Sequence, residues 1–510
     1  MVKSIRVQKP LADRVDDFVK WLFADYRTFL PREANVINDS LLGNQYFARH
    51  EVAVIDSPLL QRLKRIKQTG LVFQVFPSAT HSRFEHSLGV ATLAERCLRA
   101  IVERTSIELP RTSVADMDHT SGDLAHLRMA AMLHDVGHGL CSHASEQIYE
   151  LLSDLRAFKQ EPAYVKNAPG EILSYLIVKS KTFQEWFHEH VVSGCQAQLD
   201  LNVIAELILG KHEDKDKFFL AQIVSSPFDA DKLDYIARDS FYCGLALTVD
   251  LPRFYGMIST AKMNDHRILV LRNYVPLEQI LFSKMTLFGS VYHHQKVKCL
   301  DSMLRSLLQH IHDNADQCPY KIRGAQVSFA DPVEYLYATD DEFFASRFGD
   351  DFVRKMLTRF RRRDLFVRCL EISRRTVTNW KDYGRQHLID LADLPDQLDR
   401  VEKDIHKNVP VGSKGSCNVG DVRLSVPNRP KMKSDFAFIQ TSPVADIEGI
   451  EEFFPVEQWT ESYAHNKWRS YVYAPRELAK DVRDAALSIL NDQIGLKIDV
   501  GRSNQTCHLT

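Results

Sequence analysis

The sequence has no paired cysteines: its nine cysteines are scattered singly along 510 residues, with no CxxC and no closely spaced, even-numbered framework. That excludes the disulfide-stapled secreted scaffold and points to a reducing, cytoplasmic setting. An apolar run long enough to span a bilayer is also missing. The opening MVKSIRVQKPLADRVDDF has no apolar core followed by small residues, so no targeting signal is expected. Charge of one sign is absent too. Lys and Arg total 65 against 67 Asp and Glu, a net charge of −2, so nucleic acid or an anionic membrane is not advertised and any basic patch must be local. There is no internal repeat and no low-complexity tract.

What remains is ordinary globular material, 45% hydrophobic and 26% charged, in a chain too long for one compact core. Two or three domains are expected: an amino-terminal helical segment over 1–49, a main helical body over 50–250, a helical region completing it over 251–406, and a loop with a small α+β unit over 407–510. The fold class read from this is mainly α with a carboxy-terminal α+β extension. Apolar residues at helical spacing (Val15, Phe18, Val19, Leu22, Phe23) predict a helix within Leu11–Leu30, before the break at Pro31. Pro110–Asp123 reads as a loop, with Ser121 or Asp123 capping a helix through Leu124, Leu127 and Ala131 to His134. His266–Arg272 reads as a strand, Leu277–His312 as a long helix, and the interval Asp341–Asp404 as further helices. Lys407–Lys433, rich in Gly, Ser, Pro and Lys, reads as an exposed loop. Phe436–Ile439 and Tyr471–Tyr473 read as short strands, and Leu478–Leu490 as a closing helix.

The chemistry gathers at Arg128-Met-Ala-Ala-Met-Leu-His-Asp-Val-Gly-His-Gly-Leu-Cys-Ser-His143. His134 and Asp135 stand side by side at the end of an apolar helix, where ionisable groups are costly unless paired or bound to a metal. Gly137 and Gly139 end the helix and let backbone and side chains crowd around one point. Imidazole with carboxylate suits Zn²⁺, Mn²⁺, Fe²⁺ or Mg²⁺ without choosing among them. Two further stretches add candidates. Thr80-His-Ser-Arg-Phe-Glu-His-Ser-Leu-Gly-Val90 offers His86 after Arg83, and Phe228-Asp-Ala-Asp-Lys-Leu-Asp-Tyr-Ile-Ala-Arg-Asp239 packs four Asp among cations and an aromatic. Within it, Asp229 and Asp234 are read as capping or ion-pair residues rather than ligands. The basic run from Arg354 to Arg363 is read as an exposed helix face.

The order H…HD…D with these flanks resembles the HD superfamily of metal-dependent phosphohydrolases. Within it the similarity is greatest to the deoxynucleotide triphosphohydrolases, both the bacterial dGTPases and the sterile-alpha-motif and HD-domain dNTPases of animals. Asp56-Ser-Pro-Leu-Leu-Gln-Arg-Leu-Lys-Arg-Ile-Lys-Gln-Thr-Gly70, Val75-Phe-Pro77 and Arg83-Phe-Glu-His-Ser-Leu-Gly89 follow that family's opening almost continuously. His134-Asp-Val-Gly-His-Gly139 and Asp231-Lys-Leu-Asp-Tyr-Ile-Ala-Arg-Asp239 extend it, so the likeness covers roughly residues 50 to 245. A weaker echo lies at Tyr292-His-His-Gln-Lys-Val297.

The resemblance implies a divalent metal held by His86, His134, Asp135 and Asp231. It implies phosphate contacts from Arg83 and Lys232, and deoxyribose contacts from Gln68, Tyr235 and Asp239. His138 or His143 would move the proton, with Glu146 fixing the tautomer of His143. The reaction implied is cleavage of a dNTP, dGTP-like, to deoxynucleoside and triphosphate. The alternatives are another HD phosphohydrolase activity, on a monophosphate, cyclic nucleotide or alarmone, and a sensor that binds nucleotide or single-stranded nucleic acid without turnover. One departure stands out: where the family carries a His-Glu pair, this chain has Gly170-Glu171. Either His138 or His143, or His188 or His212 brought back by a loop, supplies the proton, or the activity is altered. A homo-oligomer and a possible nucleotide effector are further implications, although Lys64 stands where the animal enzymes carry Arg.

Overall fold

The computed structural model describes residues 9–104, 122–150, 152–247, 249–380, 394–410, 417–427, 437–467 and 469–507, with residues 386, 388, 390, 391 and 412 beside them. It is mainly helical with small sheets, as the sequence leads one to expect. The loop read at Pro110–Asp123 lies outside the described residues except for its last two. The chain divides into two units, one built from 1–284, 321–345 and 433–454, the other from 285–320, 346–432 and 455–510. No described helix is long and apolar enough to cross a membrane.

In the first unit the Leu11–Phe23 helix buries Leu11, Val15, Phe18, Val19 and Leu22, the stripe its spacing predicts. It stops seven residues short of Leu30. A β-hairpin that periodicity did not reveal follows, Asn35–Asp39 paired antiparallel with Gly43–Phe47. Its strands bury little, so no alternating apolar pattern marks them; the turn is held instead by Asp39 Oδ1, which accepts from Leu41 N and Leu42 N at 2.8 Å each.

The centre of the unit is the Arg83–Arg104 helix, which packs against Gly122–Leu133 and Ala230–Cys243. Gly89 permits the second crossing, because a Cβ there would run into the Asp234 carboxylate. The first crossing is tied by Arg128, whose Nη1 reaches Glu95 on the Arg83–Arg104 helix while its Nε donates to the buried Glu51 Oε1 at 2.6 Å. Beside these helices His266–Leu271 forms a strand as read, paired with an unforeseen partner, Ile258–Met263. Asn264 and Asp265, at φ 48° and 65°, make the left-handed two-residue turn that such a hairpin requires. Phe438–Ile439 joins the same sheet rather than a carboxy-terminal one, Ile439 pairing parallel with Leu271.

The single helix expected over Leu277–His312 is broken. Val275–Leu287 passes into a π turn, Phe288–Tyr292, and a new helix, Gln295–Asp313, starts with His294 as its cap, Nδ1 accepting from Lys296 N at 3.3 Å. In the second unit the interval read as helical also holds a strand, Val367–Ile372. It flanks the central strand Ser470–Ala474, whose other neighbour, Arg423–Ser425, falls inside the stretch read as pure loop. The strands at Val367–Ile372 and Arg423–Ser425 were missed because they are short and, like fully buried strands generally, do not alternate: Cys369, Leu370, Ile372 and Leu424 are all core. The closing helix, Ala479–Ile494, covers them with Val482, Ala486 and Leu490.

Candidate metal centre

His134 directly follows the Gly122–Leu133 helix, and its ring is oriented by that helix: Nδ1 lies 2.7 Å from Ala131 O. A carbonyl only accepts, so Nδ1 carries the proton and Nε2 presents its lone pair. That Nε2 is buried without a hydrogen-bond partner, 3.4 Å from Asp135 Oδ1 and 3.9 Å from Asp231 Oδ1. His86, in the first turn of the Arg83–Arg104 helix, approaches the same point from the other side. Its Nε2 lies 3.1 Å from Asp231 Oδ1 and 3.6 Å from Asp135 Oδ2, while Nδ1 is held 2.8 Å from Asp234 Oδ2. Asp234 is fixed in turn by Arg238.

His86, His134 and Asp135 offer ligand atoms all within 4.8 Å of one another, and Asp231, on the first turn of the Ala230–Cys243 helix, closes the set from the partly exposed side. The electrostatics favour positive charge here. Burial opposes protonation of His86, yet Asp231, Asp234 and Asp135 raise its pKa to about 10, and Asp135 and Asp231 raise that of His134 against the same penalty. Burial alone would raise the carboxyls of Asp135 and Asp231, but the surrounding cations hold both well below their ordinary range. Two imidazoles and two ionised carboxylates converging on one buried point form a donor set that fits a divalent cation.

Arg83 is fully buried, with Nη1 on Asp135, Nε donating to Ser142 Oγ at 2.8 Å, and Nη2 without a hydrogen-bond partner. Lys232 donates from Nζ to Asp229 Oδ2 at 2.7 Å, and Asp229 also caps the helix by accepting from Lys232 N at 2.8 Å. Asp229 and Asp234 thus play the capping and ion-pair parts read for them. Asp239 is buried with Oδ1 2.7 Å from His81 Nε2, and the His81 ring stacks on Tyr242 at 4.5 Å. Sequence reasoning passed over His81, whose only signal is its place five residues before His86. Gln68 is buried, its backbone N donating to His81 O at 3.0 Å and its side-chain Oε1 without a partner, which brings it beside the same residues. Tyr235 is half-buried one turn from Asp231, and burial pushes its hydroxyl well above its usual range.

Past the His-Asp pair the backbone is strained. Cys141 and Ser142 both have positive φ, 56° and 52°, and are held there by Asp340 Oδ1 on Cys141 N at 2.7 Å and by Ser142 Oγ donating to Lys67 O at 2.6 Å. Arg62, buried and lowered to about 10 by that burial, donates to Val136 O at 2.6 Å and His138 O at 2.8 Å, fixing the same loop.

His138 lies under this loop with Nε2 3.3 Å from Asp135 Oδ1. Burial and the nearby Arg83 lower it to about 4, so it is a neutral imidazole. His143 sits edge-on to it at 4.9 Å, exposed, with Nδ1 2.6 Å from Glu146 Oε2. Burial opposes ionisation of Glu146, but the hydrogen bonds to His143 and from the Gly170 N–H, which donates to Oε1 at 2.7 Å, hold its carboxyl below the ordinary range. Gly170 therefore occupies a defined place: a Cβ on it would stand 2.6 Å from His138 Cε1. Glu171 serves as a capping residue, accepting from Asn167 Nδ2 at 2.9 Å and Ala168 N at 3.2 Å.

Residues 83–239 match the model of the HD domain, and residues 249–496 that of the HD associated region. The chain is 30% identical over 313 residues to a deoxynucleoside triphosphate triphosphohydrolase SAMHD1 homolog of Dictyostelium discoideum, covering 61% of this chain and 54% of that protein. It is 24% identical over 473 residues to an uncharacterised protein of Methanocaldococcus jannaschii, covering 91% of this chain and 84% of that one. It is 27% identical over 417 residues to the deoxynucleoside triphosphate triphosphohydrolase SAMHD1 of Xenopus laevis, covering 74% of this chain and 60% of that protein. The chain thus spans little more than half the length of the two relatives whose names carry an activity. All four residues of the cation cluster fall inside the first matched region.

Proposed function

We propose that this chain, which belongs to the HD superfamily, hydrolyses a deoxynucleoside triphosphate to deoxynucleoside and inorganic triphosphate at the cluster around Asp135. The observation that carries the reading is the convergence of His86, His134, Asp135 and Asp231 on one buried point whose electrostatics favour a cation. These four residues would hold the divalent metal; when bound, it polarises a phosphoryl oxygen and acidifies water. Mn, Fe, Mg and Zn all suit the donor set.

The chain's own groups supply the rest. Neutral His138 is placed to accept a proton from the attacking water, and a cation alongside pushes its pKa in the direction burial already has. His143, oriented by Glu146, stands at the exposed side, where it can donate to the leaving oxygen. Arg83 Nη2 and Lys232 are the phosphate contacts, Lys232 after release from Asp229. Gln68, Tyr235 and Asp239 would meet the deoxyribose, with His81 holding Asp239 in place. A dGTP-like substrate and a homo-oligomer are finer expectations resting on the family resemblance, and a cytoplasmic location is one resting on the scattered, unpaired cysteines.

Incubation of the protein with each dNTP, rNTP and monophosphate in Mn²⁺ or Mg²⁺, with products resolved by ion exchange, checks this. Triphosphate release that disappears in His134→Ala is expected. Consumption of monophosphates, cyclic nucleotides or alarmones instead moves the activity elsewhere in the superfamily, and binding without turnover makes the chain a sensor. A second ligand has its own support: a cavity of about 390 Å³ in the second unit, lined by Lys298, Arg368, Lys467 and Arg469 among others and by no carboxylate of the described residues. It suits the triphosphate of a nucleotide effector or the backbone of a single-stranded nucleic acid. Nucleoside triphosphate binding that persists in His134→Ala but is lost in Arg469→Glu is the result expected.

A further inference from the structure

A second convergence of ligand-type side chains lies wholly within the other unit. His310 is in the last turn of the Gln295–Asp313 helix, and the chain then reverses at Asn314, whose carbonyl accepts from Gln317 N and Cys318 N at 2.9 Å each. The reversal brings Cys318, 1% exposed, back toward the helix end. Asp350 arrives from a separate stretch of chain as the cap of the Asp351–Arg362 helix, with Oδ1 accepting from Val353 N at 2.9 Å. The three side chains offer one nitrogen, one sulfur and one oxygen all within 4.8 Å of one another, and His310 Nε2 is 3.1 Å from Asp350 Oδ1.

Two of the three donors are already oriented. The His310 ring lies against Phe352 at 4.5 Å, and the cap fixes the Asp350 rotamer. Burial, with the nearby Asp350 carboxylate, raises the Cys318 thiol to about 11, so it is held in its neutral, protonated form. A tetrahedral cation with bond lengths of about 2.0–2.3 Å would hold its ligand atoms roughly 3–4 Å apart, a range that includes the 3.1 Å between His310 Nε2 and Asp350 Oδ1. Thiolate, imidazole and carboxylate together select a borderline-soft metal over Mg²⁺ or Ca²⁺.

We propose that His310, Cys318 and Asp350 form a zinc-class site that fastens the end of one helix to the start of another, with a water as fourth ligand on the partly exposed side. Binding replaces the thiol proton: the S–H bond breaks, its proton passes to solvent, and the sulfur electron pair forms the bond to the metal. No oxidant or reductant is needed. The site is independent of the reading given to the cluster around Asp135. Its function is structural, since it joins residues 310–318 to residue 350, between which the chain makes an excursion into the first unit.

Cobalt substitution tests it on the full chain. After metal stripping, titration with Co²⁺ is expected to produce a thiolate-to-cobalt charge-transfer band that saturates at one equivalent of thiolate-bound metal and is displaced by Zn²⁺. The cluster around Asp135 contains no thiolate and adds nothing to that band. Cys318→Ser should abolish it, and His310→Gln should weaken binding at least tenfold. Asp350→Asn keeps a helix-capping oxygen while removing the charge, so it should fold and also bind at least tenfold more weakly. If Cys318→Ser fails to fold by circular dichroism, the other two variants decide with the same band. Absence of a thiolate band in the parent chain, its survival in Cys318→Ser, or unchanged affinity in both other variants would overturn the site and leave a hydrogen-bonded helix cap.

Discussion

At the scale of single residues the most informative position is Gly170. The family expectation placed a histidine there, and the structure gives a physical reason for glycine: the space a side chain would take belongs to the His138 ring, while the Gly170 N–H holds Glu146. Gly170→Ala should therefore leave the fold intact but displace His138 by a fraction of an ångström to an ångström. A fall of about 10- to 100-fold in kcat, with KM much less affected, is the expected outcome in steady-state kinetics. A kcat within twofold of the parent would remove His138 from the proton-transfer role. Gly170→His is not expected to restore a more active enzyme, because it forces the same ring aside.

At the scale of elements, the loop after the His-Asp pair is held by a segment far away in sequence. Asp340 accepts from Lys67 N at 2.9 Å and from Cys141 N at 2.7 Å, and so braces two strips of the centre at once. Burial raises its carboxyl to about 6 from 3.8 against those two hydrogen bonds. A raised carboxyl binds its proton more tightly folded than unfolded, so stability falls as pH rises from about 4 to about 6 and is level above that. The parent chain compared with Asp340→Asn should show this as a difference of about 1.4 kcal/mol per pH unit across that window, read from urea midpoints. A difference independent of pH between 4 and 6 would show that Asp340 titrates normally.

At the scale of the molecule, two units with separate cores need not unfold as one. A cation bound only by the folded cluster around Asp135 stabilises the unit that contains it, by about 2.7 kcal/mol at a hundredfold excess over Kd. Calorimetry with Mn²⁺ should therefore move one transition upward and leave the other in place, and Asp135→Ala should abolish the shift. Movement of both transitions in the variant would mean that Mn²⁺ binds elsewhere.

Of the proposed ligands, His134 and Asp135 were legible as ionisable groups side by side at the end of an apolar helix, whereas His86 and Asp231 were named by the family resemblance. Local backbone physics fixes a helix end within a few residues, as it does the Leu11–Phe23 helix and the strand at 266–271. Other features were not legible. The hairpin at 35–47 carries no apolar alternation, and the strands at 367–372 and 423–425 find their partner around a strand at 470–474. Partnerships were hidden as well. That Arg83 turns to Asp135, Lys232 to Asp229 and Asp239 to His81, and that Glu171 caps a helix while Gly170 makes room for His138, depends on packing between distant segments. Sequence alone determined which chemical groups this protein brings to its centre, since composition and helical period are local properties. Tertiary structure decided which group each one touches, and hence its charge, because burial and ion pairing are set by neighbours the chain reaches only after it has folded.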